Sequence, residues 1–264
     1  MRFRFLVYAS AMLMAVIPAA AQQAAPQAGQ SAGPHPKSQK EVDALKKVQA
    51  DQQAQNWDAE LTDINNVLEN FADTEYKPML LDMAIQAAQN KGDYGQTIAF
   101  GEQAIKLDPN NVEAYVKLAE TVALHTREND LDKDASLKKV DMYAHKALDL
   151  VKSGPPPAGV AADQWPAYQK QLEGQAHDAL GMADDVAKKF PEAIQEYNTA
   201  LAAFPNPIIL THQAKAYIDA KQYDDAIAAD DKVLAMADAP AQVKQFAQQQ
   251  KDSATKMKGT TAAK

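Results

Sequence analysis

The sequence contains no cysteine, only two tryptophans and ten glycines in 264 residues. Without cysteine the chain has no disulfide framework, no thiolate metal site, no cysteine nucleophile and no lipid-bearing N-terminal cysteine. The sequence also lacks HExxH, GxSxG and any glycine-rich phosphate loop, which excludes the common zinc peptidase, α/β-hydrolase and P-loop chemistries. A basic excess is missing as well: the net charge is −8, so bulk electrostatics draws it to neither nucleic acid nor anionic lipid. Alternating runs of Val, Ile and Thr are absent, and the apolar content, 46% of residues, is rich in alanine. Alanine packs helices closely but buries little area, which suits a thin, layered helical core.

The N-terminal segment is where the longest apolar run lies. MRFRF carries Arg2 and Arg4, LVYASAMLMAVIPAA follows, and Ala19-Ala20-Ala21 precede a polar stretch. This is the pattern of a secretory signal peptide at 1–21, cut after Ala21, and it predicts a periplasmic or secreted protein. The run from Phe5 to Ile17 falls short of the roughly 20 residues that a bilayer span needs, so no membrane span is expected after cleavage. Loss of Arg2 and Arg4 takes the charge from −8 to −10. Residues 22–40, rich in Gln, Ala, Gly, Pro and Ser, read as a disordered tether. A helical domain is predicted over 41–258, interrupted by a connector at 153–163 in which Gly154 and three prolines break any helix. Asp163 is expected to cap the helix that follows, with Pro166 in its first turn, and 259–264 form a frayed tail.

Within the helical domain a single word recurs. KGDYGQTIAFGEQAIKLDPNN at 91–111 has echoes in KKFPEAIQEYNTALAAFPNP around Ala193 and KQYDDAIAADDKVLAMADAP around Ala226. Tyr94-Thr97, Phe190-Ala193 and Tyr223-Ala226 share an aromatic three residues before a small residue. The step from Ala193 to Ala226 is 33 residues and that from Thr97 to Ala193 is 96, close to three units of about 34. Further positions match. Leu180-Gly181, Ala193, Ala200 and Pro205 mark one unit; Leu210, Ala214, Tyr217, Tyr223, Ala226 and Val233 mark the next. Leu81, Ala84, Ala88, Ala104 and Pro109 mark an earlier unit, and Tyr115, Leu118, Ala119 and Ala147-Leu148 a longer one whose excess lies in HTRENDLDKDAS. A more degenerate unit spans 41–74.

On these residues the chain resembles tetratricopeptide repeat (TPR) proteins, of an exported bacterial type. The resemblance implies an all-α fold: an α-solenoid of antiparallel helix pairs with about four to five repeats and a C-terminal capping helix. It also implies a concave face lined by the first helix (A) of each pair, here Asp82, Gln86, Gln89, Val116, Glu120, Asp178, Met182, Lys215 and Asp219. Relatives that clamp a partner's terminal carboxylate use basic residues in these places. This set is acidic and amide-bearing, so an extended or helical polypeptide of basic or neutral character is the expected partner.

Candidate chemistry beyond that face is thin. Asp130, Asp132 and Asp134 alternate and Asp141 stands twelfth from Asp130, the spacing of a calcium loop. Yet Ala135 replaces the turn glycine and the twelfth residue is not glutamate, so the stretch reads as a solvated acidic loop with Asp134 capping the next helix. Of the histidines, His35, His125, His145, His177 and His212, none is paired at helical spacing, and His177 takes an aromatic packing position. Tyr94, Phe100, Tyr197, Phe204 and Tyr217 recur at repeat-equivalent places and are expected in the core. No metal, cofactor or catalytic group is expected. The sequence thus points to a non-catalytic scaffold of the cell envelope that binds a protein or peptide. A self-associating structural component and an envelope hydrolase with an unrecognised site are the alternatives.

Overall fold

The computed structural model describes residues 33–157 and 159–262. The expected signal peptide and residues 22–32 of the expected tether lie outside that range. The described residues form eleven α-helices and no strand: α1 Gln39–Gln53, α2 Trp57–Asn70, α3 Lys77–Lys91, α4 Tyr94–Leu107, α5 Val112–His125, α6 Lys133–Ser153, α7 Trp165–Val186, α8 Phe190–Ala203, α9 Pro207–Asp219, α10 Tyr223–Ala235 and α11 Ala241–Ala262. The architecture is all-α and of the helical-solenoid class, pairs of helices packed on their neighbours in sequence.

The recurring word is a turn with a fixed backbone geometry. Between α3 and α4, Gly92 lies at φ 75°, the left-handed region that only glycine enters without steric cost. The equivalent places after α1, α7 and α9 hold Gln55, Lys188 and Lys221 at φ 52°, 62° and 61°. Each turn closes with the same two bonds. Gly92 N–H donates to the Gln89 carbonyl and Asp93 N–H to that of Ala88, both at 2.9 Å. Lys188 and Lys189 donate in the same way to Asp185 and Asp184, and Lys221 and Gln222 to Ile218 and Tyr217. These bonds satisfy the orphan carbonyls at the end of each first helix and aim the chain back along it. Asp93 then caps α4, its carboxylate accepting from Gln96 N–H at 3.0 Å. At the return, Asn111 and Asn206 do the same for α5 and α9, accepting from Ala114 N–H at 2.9 Å and Ile208 N–H at 2.8 Å.

Two compact units divide the chain. The first comprises the residues up to Ala114 together with Pro157–Val160, and it holds α1 to α4. Its core joins Leu45, Val48, Leu61, Ile64, Val67, Leu80, Leu81 and Phe100, with Ala84, Ala88 and Ala104 where helices cross. The second comprises Tyr115–Pro156 and everything from Ala161. Here Leu118, Leu172, Tyr197 and Val233 are buried among Ala176, Ala179, Ala193, Ala200, Ala214 and Ala226, all fully shielded. Gly181 allows α8 to approach α7: a Cβ placed there would stand 2.7 Å from the Tyr197 ring.

Several boundaries differ from the sequence reading. The chain is already anchored at 34–37, within the expected tether: Tyr76 Oη donates to the Pro34 carbonyl at 2.8 Å, His35 N–H to Glu75 at 2.9 Å and Lys37 Nζ to the Asp73 carbonyl at 2.6 Å. Low hydrophobicity predicted disorder there, but hydrogen bonds to the α2–α3 turn hold the segment instead. The helix after the connector takes Gln164, not Asp163, at its cap, with Pro166 in the first turn as expected. Likewise Asp132, not Asp134, precedes α6, and α11 continues past Lys258 through residues assigned to a frayed tail.

Candidate functional site

The nine residues expected on the A-helix face fall in both units. In the first unit Asp82, Gln86 and Gln89 stand on successive turns of α3, all half-buried. Asp82 is tied to the next helix start, because Asn111 Nδ2 donates to its Oδ1 at 2.8 Å while Asn111 Oδ1 caps α5. Burial pushes the Asp82 carboxyl up to about 7, against the Asn111 hydrogen bond and with help from Glu113 and Asp108.

In the second unit the face is built by α5, α7 and α9. Val116 does not belong to it: the side chain is fully buried, and Met182 is nearly so, because both lie on the inner edge of the apolar stripe. The charged members are present but already partnered. Asp178, itself buried, accepts from His212 Nδ1 at 2.9 Å across the α7–α9 contact. Glu120 accepts from Lys117 at 3.1 Å. Lys215 bridges Asp185 at 2.5 Å and Asp219 at 2.6 Å. The face is therefore a ladder of hydrogen-bonded groups rather than a free acidic stripe, in which Lys215 is shared by two carboxylates and Asp82 meets only the neutral Asn111.

Burial lowers the basicity of His212, but Asp178, through charge and hydrogen bond, and Glu120 together raise its pKa above the ordinary histidine range. Burial raises Glu120, with Lys117 opposing, and raises Asp185, with Lys215 opposing. Sequence reasoning assigned no place on this face to His212, Lys117 or Asp185. A signal existed for two of them: Asp185 lies two helical turns beyond Asp178 on the same face, and His212 lies one repeat period, 34 residues, beyond it.

His177 is half-buried and bonds Glu196 at 2.6 Å, so it links α7 to α8 as a polar tie rather than as an apolar packing residue. Of the five aromatics expected in the core, Phe100 and Tyr197 are buried and Phe204 and Tyr217 half-buried. Tyr94 is 39% exposed, because it is the first residue of α4 and its ring sits at the hairpin edge. The calcium spacing does not survive folding. Since α6 starts at Lys133, Asp134 and Asp141 ride on a straight helix and cannot wrap an ion with Asp130 and Asp132. Asp130 accepts from Arg127 N–H at 2.7 Å and Asp141 meets His145 at 3.2 Å. Among the described residues no group of three His, Cys, Asp or Glu side chains is placed to hold a metal ion.

No protein-family model and no curated protein matches the chain. Solved structures do. TTC0263, a thermophilic TPR protein of Thermus thermophilus, superposes over 80% of this chain and 98% of its own with a TM-score of 0.51, at 17% identity. The chain has the tetratricopeptide-repeat fold.

Two other solved structures resemble it more loosely. They are the "MamA RS-1 ArsTM double mutant" (TM-score 0.47, 19% identity, 75% of this chain and 94% of that one) and a tetratricopeptide repeat protein of Parabacteroides merdae (TM-score 0.40, 12% identity, 83% and 94%). The tetratricopeptide-repeat assignment gives the helices their roles. α3, α7 and α9 are A helices followed by B helices α4, α8 and α10, and α11 packs against the last pair. No helix among the described residues is long and apolar enough to cross a membrane.

Proposed function

We propose that this protein is a non-catalytic, exported scaffold of the cell envelope that binds a polypeptide on the A-helix face of its second unit. The observation that carries this reading is the ladder Asp178–His212 and Asp185–Lys215–Asp219. Polar side chains on two neighbouring A helices are fixed by cross-helix bonds, and the outer ones, Lys215 and Asp219, remain open to solvent. Such pre-ordered groups lose little entropy when a partner binds. An extended segment of basic or neutral character suits a face on which carboxylates still outnumber cations.

Affinity capture from an envelope fraction tests the reading, comparing the native chain with a variant carrying Glu120→Ala and Asp219→Ala. The variant should lose partners that the native chain recovers. Equal recovery would remove the face from the account. Export has its own check: mass spectrometry of the protein recovered outside the cytoplasm should show a mature N-terminus at Gln22, and an intact Met1 would contradict it.

A further inference from the structure

The last helix, α11, is long but thinly buried. Among its described side chains only Ala247 and Ala254 are buried, and two alanines remove little apolar area from water. By contrast α9, with 13 residues, buries Ile209, Leu210, Thr211, Gln213, Ala214 and Ala216 together with Pro207. Val243 and Phe246 of α11 are half-buried, and Val243 packs against the cluster of Leu210 and Val233, beside Leu201, Leu234 and Met236. Apolar burial is therefore a weak hold on α11.

Charge sets its register instead. Lysines recur at every seventh residue of α11, Lys244, Lys251 and Lys258, and aspartates at every seventh along α10 and the turn after it, Asp224, Asp231 and Asp238. The two helices run antiparallel, so the rows meet in opposite order: Asp231 pairs with Lys251 at 2.6 Å, and Asp224 pairs with Lys258. Asp224, Asp231 and Lys258 are each at least half exposed, so dissolved ions screen these pairs. Beneath them the contact holds polar atoms that it does not satisfy. Gln250 Nε2 donates to the Thr211 carbonyl of α9 at 3.0 Å, yet its Oε1 is shielded without a partner. Asp230, next to Asp231 on α10, is fully buried with neither oxygen bonded, and α10 packs against α9 and α11. Such acceptors regain hydrogen bonds to water when a contact opens, which offsets part of the apolar area that opening exposes.

We infer that α11 is a releasable strap, which detaches from α9 and α10 as a unit, ahead of the helices beneath it, and that ionic strength sets how often it does so. Opening breaks the Asp231–Lys251 and Asp224–Lys258 pairs and the Gln250–Thr211 bond. It puts Gln250 Oε1 and Asp230 within reach of water, and it uncovers Leu210 and Val233 at the end of the second unit. Low salt holds the strap closed, and high salt lets it open. The seven-residue spacing of the charges then has a role that two alanines do not fill: it fixes where α11 lands when it closes.

Hydrogen exchange of the full chain, read by mass spectrometry at about 0.05 M and about 1 M sodium chloride, tests the strap. Amides of α11 should exchange faster than those of α9 and α10 at both salt concentrations. They should also exchange about fivefold faster at high salt than at low, while α3 and α7 change by less than about twofold. Lys251→Glu combined with Lys258→Glu should reach at least the high-salt rate already at low salt. Adding Asp231→Lys and Asp224→Lys to that variant should restore slow exchange, which a generally destabilised chain would not do. Exchange of α11 no faster than that of α9, or a rate that salt does not move, overturns the strap. Failure of the two aspartate substitutions to rescue the lysine variant overturns it as well.

Discussion

Asp230 is fully buried on α10, and neither carboxylate oxygen has a hydrogen-bond partner. Burial pushes its pKa up to about 7, Asp231 adds to this, and Lys251 of α11 opposes it. Glu60 is in the same state: shielded, with one oxygen unpartnered and its pKa raised to about 7, first by burial and then by Asp51. The folded chain thus holds these protons more tightly than the unfolded chain does. The stability these two groups contribute is greatest below the ordinary carboxylate range, falls as pH rises toward 7, and levels off above it. Replacing Asp230 by Asn keeps the shape of the protonated acid and removes the titration. Asp230→Asn should melt with the native chain near pH 3.5, below the window, and be more stable at pH 8 by about 1–2 kcal/mol, as read by thermal unfolding at both pH values. An unchanged pH slope would show that Asp230 is not the group responsible. Gly181 offers a second residue-scale check. An alanine there gains about 1 kcal/mol of helix propensity, but its methyl meets a tyrosine ring that is itself fully buried, which costs about 1–3 kcal/mol. Gly181→Ala should therefore lower the melting temperature; a rise would mean that Tyr197 can move.

At the scale of elements, the hairpin turns carry the clearest imprint of sequence on structure. Gly92 occupies the left-handed position at no steric cost, whereas Lys188 and Lys221 occupy it with a Cβ, at roughly 1 kcal/mol each. Lys221→Gly should stabilise the chain by up to about 1 kcal/mol in urea unfolding, with loss of stability as the contrary result. The turns were legible because their signals are local: an aromatic opening the second helix, a proline or asparagine closing it, and a period close to 34 residues. What was not legible depends on tertiary placement. Nothing local to Asp178 says that His212 meets it, and Val116 and Glu120, four residues apart on one helix, differ in burial only because of what packs against α5. The anchoring of residues 34–37 escaped for the same reason, since its partners are Asp73, Glu75 and Tyr76 about 40 residues away. α11 shows what an end helix does: it packs on α9 and α10 and covers Leu210 and Val233 with Ala247 and Val243. Ending the chain after Pro240 should uncover that surface, so that limited proteolysis cuts α9 and α10 early while the first unit persists. Equal resistance of both units would argue that α11 is dispensable.

For the molecule as a whole, two compact helical units of one fold carry faces of different character. The first offers Asp82, Gln86 and Gln89 on a single A helix. The second offers a bonded ladder across two A helices. The polypeptide binding proposed above is therefore sought on the second unit, on α9 and its neighbours rather than on the B helices. A photo-crosslinking amino acid placed in living cells tests this directly, at Lys215 or Asp219 on α9 and, for comparison, at the exposed positions Gln195 on α8 and Ala228 on α10. Covalent adducts to another polypeptide from the α9 positions, with none from α8 and α10, is the predicted result. Adducts from α8 and α10 alone, or none from any of the four, would contradict it.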